Sequence, residues 1–335
     1  LTVDKTSEKP ENKKFTNMNK YITTILSLLA LAGGHLNAAS LDLGKVSAQS
    51  NWVVHLDFEG LLKTDVGKFL LAEIKKDPTA QRQLAGIKAA FGVDIEGLGN
   101  LTAFGRGEND KGIAIASGGF NAKQLEGFVS LNEKIETSTY GGKTIYAENK
   151  NAFAIVDENT VVAGSGNEFV KHGLDVLAGK QASMKANDLL NELAKAIPNP
   201  VAVAIADLKG VAEFNPLPGT SPEAAILKKA KGLGIAIGEV GGQVRAAAVL
   251  TAADEATATH LENVLRGATS LLTLGADLDP KLAELASTVK THVSRDGSHV
   301  RAYLGVSAEL VKKQLAVEMA KKKAAQAFEG DGAPE

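Results

Sequence analysis

The alternation of apolar and polar residues predicts a strand at the start of each half of the chain. In Trp52–Phe58 the even positions are large and apolar, whereas His55 and Asp57 alternate with them, which is the period of a half-buried strand. We therefore expect the even side to be buried and the odd side to face solvent. A second apolar run, Ala202–Ala206, predicts the corresponding strand in the second half.

Helical periodicity and turn residues predict the elements that follow the first strand. Asn121 is placed to cap a helix that runs to Asn132, because its side chain can accept a hydrogen bond from a backbone N–H of the first turn. The remaining predicted elements are helices at 61–74, 79–91 and 167–177, a hairpin of 101–105 with 113–117, and four short strands turning at 141–142, 149–150 and 158–159.

The second half repeats this order with fewer strands. Its last hairpin turns on Asp296-Gly297, and Asp279-Pro280 is typical of a helix start. The predicted elements are helices at 223–231, 254–272 and 308–328 and strands at 233–237 and 244–251, followed by that hairpin.

Sequence similarity between the halves predicts a tandem duplication. Gly164–Val176 aligns without gaps on Gly305–Val317, with six of thirteen positions identical, and Asp57–Leu61 aligns on Asp207–Val211. Gly97-Leu98-Gly99 is a further anchor on Gly232-Leu233-Gly234. The predicted organisation is unit one at 51–180, a helix and proline linker at 181–199, unit two at 200–327, and a disordered tail at 328–335.

The shared order of elements, β-α-β-β-α-β, is that of ferredoxin-like domains. We expect an α+β fold in which each unit is a ferredoxin-like unit with appended strands. The sheets should be mainly antiparallel, with the helices on one face.

The segment 18–39 has the pattern of a secretory signal peptide. Lys20 supplies the positive end, Tyr21–Ala32 is a mostly apolar stretch of twelve residues, and small residues precede Ser40. We expect cleavage between Ala39 and Ser40. Residues 1–17 are polar and precede Met18, so we interpret them as a gene-model extension.

The same segment predicts export without a permanent anchor. A spanning helix needs roughly 20 apolar residues, and this run meets Gly33-Gly34 after twelve. Gly34 also stands where a bacterial lipoprotein box would need a cysteine. We therefore expect no stable membrane insertion after cleavage, and a location in the bacterial periplasm or exterior.

Composition excludes several classes of function. The chain has 335 residues, 37 Lys plus Arg against 39 Asp plus Glu, and no cysteine. The near-neutral charge gives no electrostatic support for nucleic-acid binding. The absence of cysteine excludes disulfides, thiolate nucleophiles and iron–sulfur clusters. The sequence contains neither a phosphate loop nor a complete dinucleotide fingerprint, so we predict no cofactor.

Three potential metal ligands, His55, Asp57 and Glu59, alternate along the first predicted strand. A solvated strand face explains them equally well. In the second half only the aspartate recurs, as Asp207, whereas Ile205 and Lys209 occupy the other two positions. We therefore predict no metal site here.

The remaining histidines do not form a recognisable catalytic or metal constellation either. Counting outward from the Asp296-Gly297 turn pairs His292 with Arg301 and Ser294 with His299, which makes the two histidines diagonal neighbours without a third ligand. His172 is expected to be exposed on its helix and is replaced by Lys313 in the second copy. We predict no catalytic residue.

These observations favour an exported, non-catalytic binding or structural protein whose partner is an unknown protein or small molecule. One alternative is a cofactor-independent hydrolase that uses Asp57 and Asp207 in a cleft between the units. Another is an envelope scaffold or lipid carrier, for which a continuous apolar cavity is the expected structural sign.

Overall fold

One continuous antiparallel sheet of twelve strands runs through the computed structural model of the protein, which describes residues 41–214, 228–276 and 289–330. The strand order is β11-β12-β10-β9-β8-β1-β2-β3-β7-β6-β5-β4. The strands are β1 (Trp52–Asp57), β2 (Leu98–Gly105), β3 (Ile113–Gly118), β4 (Glu136–Tyr140), β5 (Lys143–Glu148), β6 (Asn151–Asp157), β7 (Thr160–Gly164), β8 (Ala202–Asp207), β9 (Ala230–Val240), β10 (Gln243–Ala252), β11 (Lys290–Asp296) and β12 (His299–Ser307).

Five of the described helices begin directly after a residue whose side chain caps the first turn. Asp57, Thr64, Asp77, Asn121 and Asn187 each accept a hydrogen bond from a backbone N–H of the following first turn. The helices are α1 (Phe58–Lys63), α2 (Asp65–Lys76), α3 (Pro78–Phe91), α4 (Ala122–Ser130), α5 (Asn167–Leu177), α6 (Asp188–Ala196), α7 (Leu208–Phe214), α8 (Glu255–Ala276) and α9 (Ala308–Gly330).

Most predicted hairpins and helices of the first half are confirmed. The helix at 167–177 has the predicted bounds, and the four strands after α4 turn where predicted. The predicted helix at 61–74 is divided by Thr64 into α1 and α2. In the second half, Ala230 and Lys231 belong to β9 rather than to a helix, whereas Lys228 and Lys229 are helical. Residues 223–227 of this predicted helix lie outside the described residues, as does Asp279-Pro280.

Helices cover both faces of the sheet, so the predicted single helical face is wrong. The first face carries Val53 and His55 of β1 and is covered by α5 and α6. Gly173 of α5 lies against Val162 and Ile113 on this face, while Leu189 and Leu193 of α6 lie against glycines of β9. The second face carries Val54 of β1. There α8 packs around Leu250 and Val300, and α9 packs around Val244.

The more deeply buried side of β1 is the odd side, which reverses the prediction. Val53, His55 and Asp57 are buried, whereas on the even side Leu56 is buried and Trp52 and Val54 are only partly buried. Helices α5 and α6 and the segment before β1 cover the first face, and their positions are set by residues far away in the chain. The alternation shows that the two sides differ chemically, but it does not show which side is covered.

The strand order is not that of a ferredoxin-like domain. A split β-α-β unit places another strand between two parallel strands joined by a helix. Here β1 and β2 are joined through α1–α3 yet are direct antiparallel neighbours, with Asp57 opposite Asn100. The ferredoxin-like prediction is therefore wrong, and the fold is a mixed α+β arrangement of helices around one large antiparallel sheet.

The two halves meet at the pair β1–β8 through reciprocal hydrogen bonds. The N–H of Asp57 donates to the carbonyl of Val201 at 2.8 Å, and the N–H of Asp207 donates to the carbonyl of Asn51 at 2.7 Å. These two bonds are related by the local twofold axis of the antiparallel pair. Asp57 lies opposite Asn100 and Asp207 lies opposite Gly232, so the strand pairing differs by three residues from the predicted alignment of Gly97 on Gly232.

No helix within the described part of the chain is long and apolar enough to cross a membrane.

Candidate functional site: an apolar row across the sheet

A transverse row of apolar side chains crosses the second face of the sheet. Each member lies directly opposite the next one on the neighbouring strand, and all but the terminal threonine are apolar or aromatic. From β4 to β11 the row is Thr137, Tyr146, Phe153, Ala163, Ala114, Ala103, Val54, Ala204, Ile235, Ala248, Ala302 and Val293. At about 4.8 Å between strands, the row is roughly 50 Å long.

The middle of this row is partly exposed because the helices on the second face form two separate groups. One group, α1, α2 and α9, packs around Val244, and the other, α7 and α8, packs around Leu250 of the same strand. Between them Ile235 remains 38% exposed. We call this partly exposed row, from Tyr146 to Ala248, the furrow.

Within unit one the furrow widens into a groove of about 540 Å³. The alanines 103, 114 and 163 line its centre, Trp52 lies on one side, and the rings of Tyr146 and Phe153 stack 5.2 Å apart on the other. This volume falls in the range of sites that bind small molecules of drug-like size. The small residues give the groove its depth, and the rings give it apolar walls.

The groove is open because α5 folds back onto the opposite face. Gly166, with φ of 96°, turns the chain between β7 and α5, and a Cβ on Gly164 would lie 2.7 Å from the Cβ of Phe169. These glycines let α5 approach the first face closely. In unit two the corresponding helix, α9, packs onto the second face instead. The second face of β3, β7 and β6 therefore lacks an equivalent cover among the described residues.

One end of the groove is polar. Glu148, Asn149 and Asn151 line it at the β5–β6 turn, and Ser165 lines it beside Gly112, whose N–H donates to the Ser165 hydroxyl at 3.0 Å. Within the described chain Glu148 makes no ion pair. A ligand with an apolar body could therefore place a hydrogen-bonding end at this turn.

The three potential metal ligands of the first strand do not form a site. The Nδ1 of His55 lies 2.9 Å from the Thr102 hydroxyl on the first face, and Asp57 caps α1 by accepting from the N–H of Gly60. Glu59 is exposed and pairs with Lys63. The described ranges contain no group of three or more His, Asp or Glu residues able to hold a metal ion.

The last hairpin also differs from its predicted register. Gly297 and Ser298 form the turn, so Asp296 lies opposite His299, and His292 lies opposite Tyr303. The register is shifted by two residues, which separates the two histidines by about 13 Å along the hairpin. They do not form a shared site. The Arg301 guanidinium instead pairs with Glu192 of α6 and with Asp296.

The two aspartates proposed for hydrolysis lie at opposite ends of the central strand pair. Asp57 is the last residue of β1 and lies beside Val201, whereas Asp207 lies beside Asn51 at the other end of the strand pair. Six residues of extended chain separate these ends, which is about 20 Å. A single cleft cannot contain both carboxylates, because the twofold relation of the antiparallel pair places them apart.

A serine–histidine contact was not predicted from the sequence. The Nε2 of His172 lies 2.9 Å from the hydroxyl of Ser47, which is buried, and His172 is half-buried rather than exposed. The pair borders a cavity of about 200 Å³ that Arg106 and Glu168 also line. The described hydrogen bonds give the imidazole no carboxylate partner, so the contact has no general-base triad. No local pattern could have revealed it, since 125 residues separate the two.

A buried carboxylate lies where α2, α9 and the β9–β10 hairpin meet. Glu239 is 4% exposed, and its Oε2 has no hydrogen-bond partner. Burial raises the pKa of Glu239 to about 7, and the nearby Asp65 carboxylate adds to this shift. The Val66 N–H and the charges of Lys312 and Lys68 oppose it. Nothing in the sequence distinguished Glu239 from a surface glutamate.

The predicted cleavage residues Ala39 and Ser40 lie outside the described residues.

Comparisons with known proteins give structural likenesses only. No family model matches the chain, and no curated protein matches it. Among solved structures the chain is similar to TP0453, at 10% sequence identity in each case. For crystal form III the TM-score is 0.48, and the match covers 82% of this chain and 98% of TP0453. For crystal form IV the TM-score is 0.45, with 83% of this chain and 97% of TP0453 covered. For crystal form I the TM-score is 0.44, with 84% of this chain and 98% of TP0453 covered.

Proposed function

We propose that the protein is an exported, non-catalytic binding protein that holds a ligand with a long alkyl or acyl chain in the furrow. The observation that carries this proposal is the unbroken apolar row, which widens into the groove between Trp52 and the Tyr146–Phe153 rings. A narrow, alanine-floored channel suits a flexible chain, and burying its methylene groups contributes about 0.8 kcal/mol each.

The two ends of the groove favour an amphiphile over a hydrocarbon. Glu148, Asn149 and Asn151 lie at the polar turn, where a ligand head group can form hydrogen bonds. The apolar row continues from Ala103 through Val54 to Ala204 and across into the second half. The head would therefore lie at the β5–β6 turn and the chain along the row. This arrangement of head group and chain is a form of the lipid-carrier alternative.

Trp52 provides a direct test, because it is the only tryptophan of the chain and lines the groove. We expect cis-parinaric acid to quench the Trp52 emission saturably by energy transfer, and palmitate to reverse the quenching. Butyrate, which has the same carboxylate but a short chain, should not reverse it. An unchanged Trp52 emission up to millimolar probe would contradict the proposal.

A pair of alanine substitutions locates the binding site. Ala163→Phe places a ring on the groove floor, where it would occupy the space of the ligand, and we expect it to weaken parinarate binding at least tenfold. Ala85→Phe makes the same change on the exposed side of α3 and should bind like the unaltered protein. Equal affinity of both variants would show that the probe binds elsewhere.

We also infer that the two halves arose by tandem duplication. The strand orders β1-β2-β3-β7-β6 and β8-β9-β10-β12-β11 correspond, which supports this inference, as do the reciprocal bonds of Asp57 and Asp207, 150 residues apart. Unit two then lacks counterparts of β4 and β5. An experimental structure in which the superposed units follow a different strand equivalence would overturn the duplication.

A further inference from the structure

The two edges of the sheet differ in how they are protected. At one edge, β11 carries the charged residues Lys290, Arg295 and Asp296 and packs against α8. At the other edge, β4 has the sequence Glu-Thr-Ser-Thr-Tyr, with one charge and no proline, and its first four residues are exposed. Natural sheets usually block a free edge with charges, proline or a covering element, because an open edge pairs with other chains. Within the described part of the chain, β4 has no such protection apart from the charge of Glu136.

The hairpin geometry shows which backbone groups of β4 point outward. The loop between β4 and β5 is Gly141-Gly142, with φ values of 57° and 76°, and Tyr140 lies opposite Lys143. A two-residue loop makes the flanking residues a hydrogen-bonded pair, and such pairs then alternate along the ladder. Ser138 therefore bonds inward to β5, whereas the N–H and C=O groups of Thr137 and Thr139 point away from the sheet.

We propose that β4 is a homodimerisation edge that pairs antiparallel with β4 of a second copy, in a register centred on Ser138. In this register Thr137 lies opposite Thr139 of the second copy and Thr139 opposite its Thr137, so the outward groups form four backbone hydrogen bonds. Ser138 meets its own counterpart on the twofold axis, and Glu136 meets Tyr140. No like charges face each other, and threonine pairs are favourable across strands.

The proposed contact produces a closed dimer and no larger assembly. The contact is isologous, so each copy uses its only β4 edge, and the charged β11 edges remain at the two far ends. The twofold axis is perpendicular to the sheet, which places both furrows on the same side of one continuous sheet. The interface is a single pair of five-residue strands, smaller than standard interfaces. We therefore expect a dissociation constant roughly in the micromolar to millimolar range.

Charge substitution at the twofold axis tests this register. Sedimentation equilibrium of the mature chain from about 5 to 500 µM should show a monomer–dimer equilibrium. Ser138→Lys and Ser138→Glu each place two like charges directly opposite each other across the interface. For each variant alone, the dimer dissociation constant should rise at least tenfold. An equimolar mixture should recover the dimer, because lysine then faces glutamate. Thr291→Lys on β11 is the control and should dimerise normally.

A second variant guards against misfolding as the explanation. Thr137→Pro removes one outward N–H that the protein's own sheet does not use, a position where edge strands tolerate proline. We expect an unchanged circular dichroism spectrum and loss of dimer. A monomeric unaltered protein over the whole range would overturn the proposal and leave β4 as an edge for another kind of chain. Dimers that persist in the Ser138 variants, or a mixture that fails to recover, would also overturn it.

Discussion

The Nε2 of His172 lies 2.9 Å from the buried hydroxyl of Ser47, and this contact joins the segment before β1 to α5. Backbone bonds reinforce it, since the N–H of Ala48 donates to Ala182 and the N–H of Met184 donates to Val46. The first described residues are thus held across the first face by elements more than a hundred positions away. Val46, next to Ser47, is fully buried.

Ser47→Ala should lower the free energy of unfolding by about 1 kcal/mol, because it removes the hydroxyl that contacts the half-buried imidazole of His172 and accepts from the N–H of Gln49. Urea denaturation measures the change. Gln49→Ala, at an exposed position that borders the same cavity, should stay within about 0.5 kcal/mol of the unaltered protein. Equal losses in both variants would refute a specific role for the Ser47 hydroxyl.

Asp57 and Asp207 should differ in their contribution to stability although their N–H groups make reciprocal backbone bonds across the β1–β8 pair. Asp57 is buried and caps α1 through the N–H of Gly60, whereas Asp207 is exposed and accepts from the N–H of Lys209. We expect Asp57→Ala to cost about 1–2 kcal/mol and Asp207→Ala less than about 0.5 kcal/mol. Thermal unfolding of the two variants tests this; a larger cost at Asp207 would contradict the structure.

Two helical glycines should respond oppositely to alanine. A Cβ at Gly173 would lie 2.7 Å from Cγ1 of Val162 and 3.0 Å from Cγ2 of Ile113, whereas a Cβ at Gly127 of α4 meets nothing within 4 Å. Gly173→Ala should therefore destabilise the fold by about 1–3 kcal/mol through overpacking. Gly127→Ala should stabilise it by about 0.5–1 kcal/mol by lowering the entropy of the unfolded chain. Stabilisation at both positions would mean that α5 does not pack closely on β3 and β7.

Glu239 should make stability fall as the pH rises. Its native pKa of about 7 lies above the ordinary value of 4.5, so the native state holds the proton more tightly than the unfolded state does. This stabilisation is complete below about pH 4.5 and is lost as the pH rises through 7. Glu239→Gln should therefore raise the free energy of unfolding by roughly 1–3 kcal/mol at pH 8 and change it little at pH 4.5.

The control for this pH dependence is Glu213→Gln, a change at an exposed carboxylate of α7. Between pH 4.5 and 8, the free energy of unfolding should change with pH in the same way for this variant and for the unaltered protein. If Glu239→Gln gave the same pH profile as that control, the buried carboxylate would not be the group responsible.

The signal-peptide pattern predicts the mature N-terminus. Expression of the whole chain in a bacterium, followed by N-terminal sequencing of the periplasmic protein, should give a chain that begins with Ser40. Ala39→Phe should block cleavage, because signal peptidase requires a small residue there, and should leave the precursor with the cell. An intact cytoplasmic protein would contradict export.

Local chemistry was enough to predict many elements. Asn121 caps α4 and the helix 167–177 has the expected bounds, because capping and apolar periodicity act within a few residues. The turn at Gly141-Gly142 was predictable for the same reason, since these glycines adopt the positive φ that a tight hairpin requires. The tandem duplication remains a proposal, and the strand pairing differs by three residues from its predicted glycine anchor.

The candidate site could not be predicted in the same way. The row depends on eleven strand registers, and a shift of one residue in any ladder would move its side chains to the other face. Val54 was recognised as part of one side of a strand, but its alignment with Phe153 and Ile235 depends on pairings between distant segments. The groove is also open only because α5 packs on the first face, and Gly164 and Gly166 allow the close approach and the turn that this packing needs.

The sequence by itself determined most types of elements, the hairpin turns of the first half, several helix caps and the absence of cysteine chemistry, because each depends on residues close together in the chain. Only the tertiary structure decided which side of β1 is buried, that Asp57 and Asp207 lie far apart, and that alanines from distant strands form one row. The physical reason is that burial and register arise from the packing of whole helices against the sheet, which the short-range alternation of polar and apolar residues does not specify.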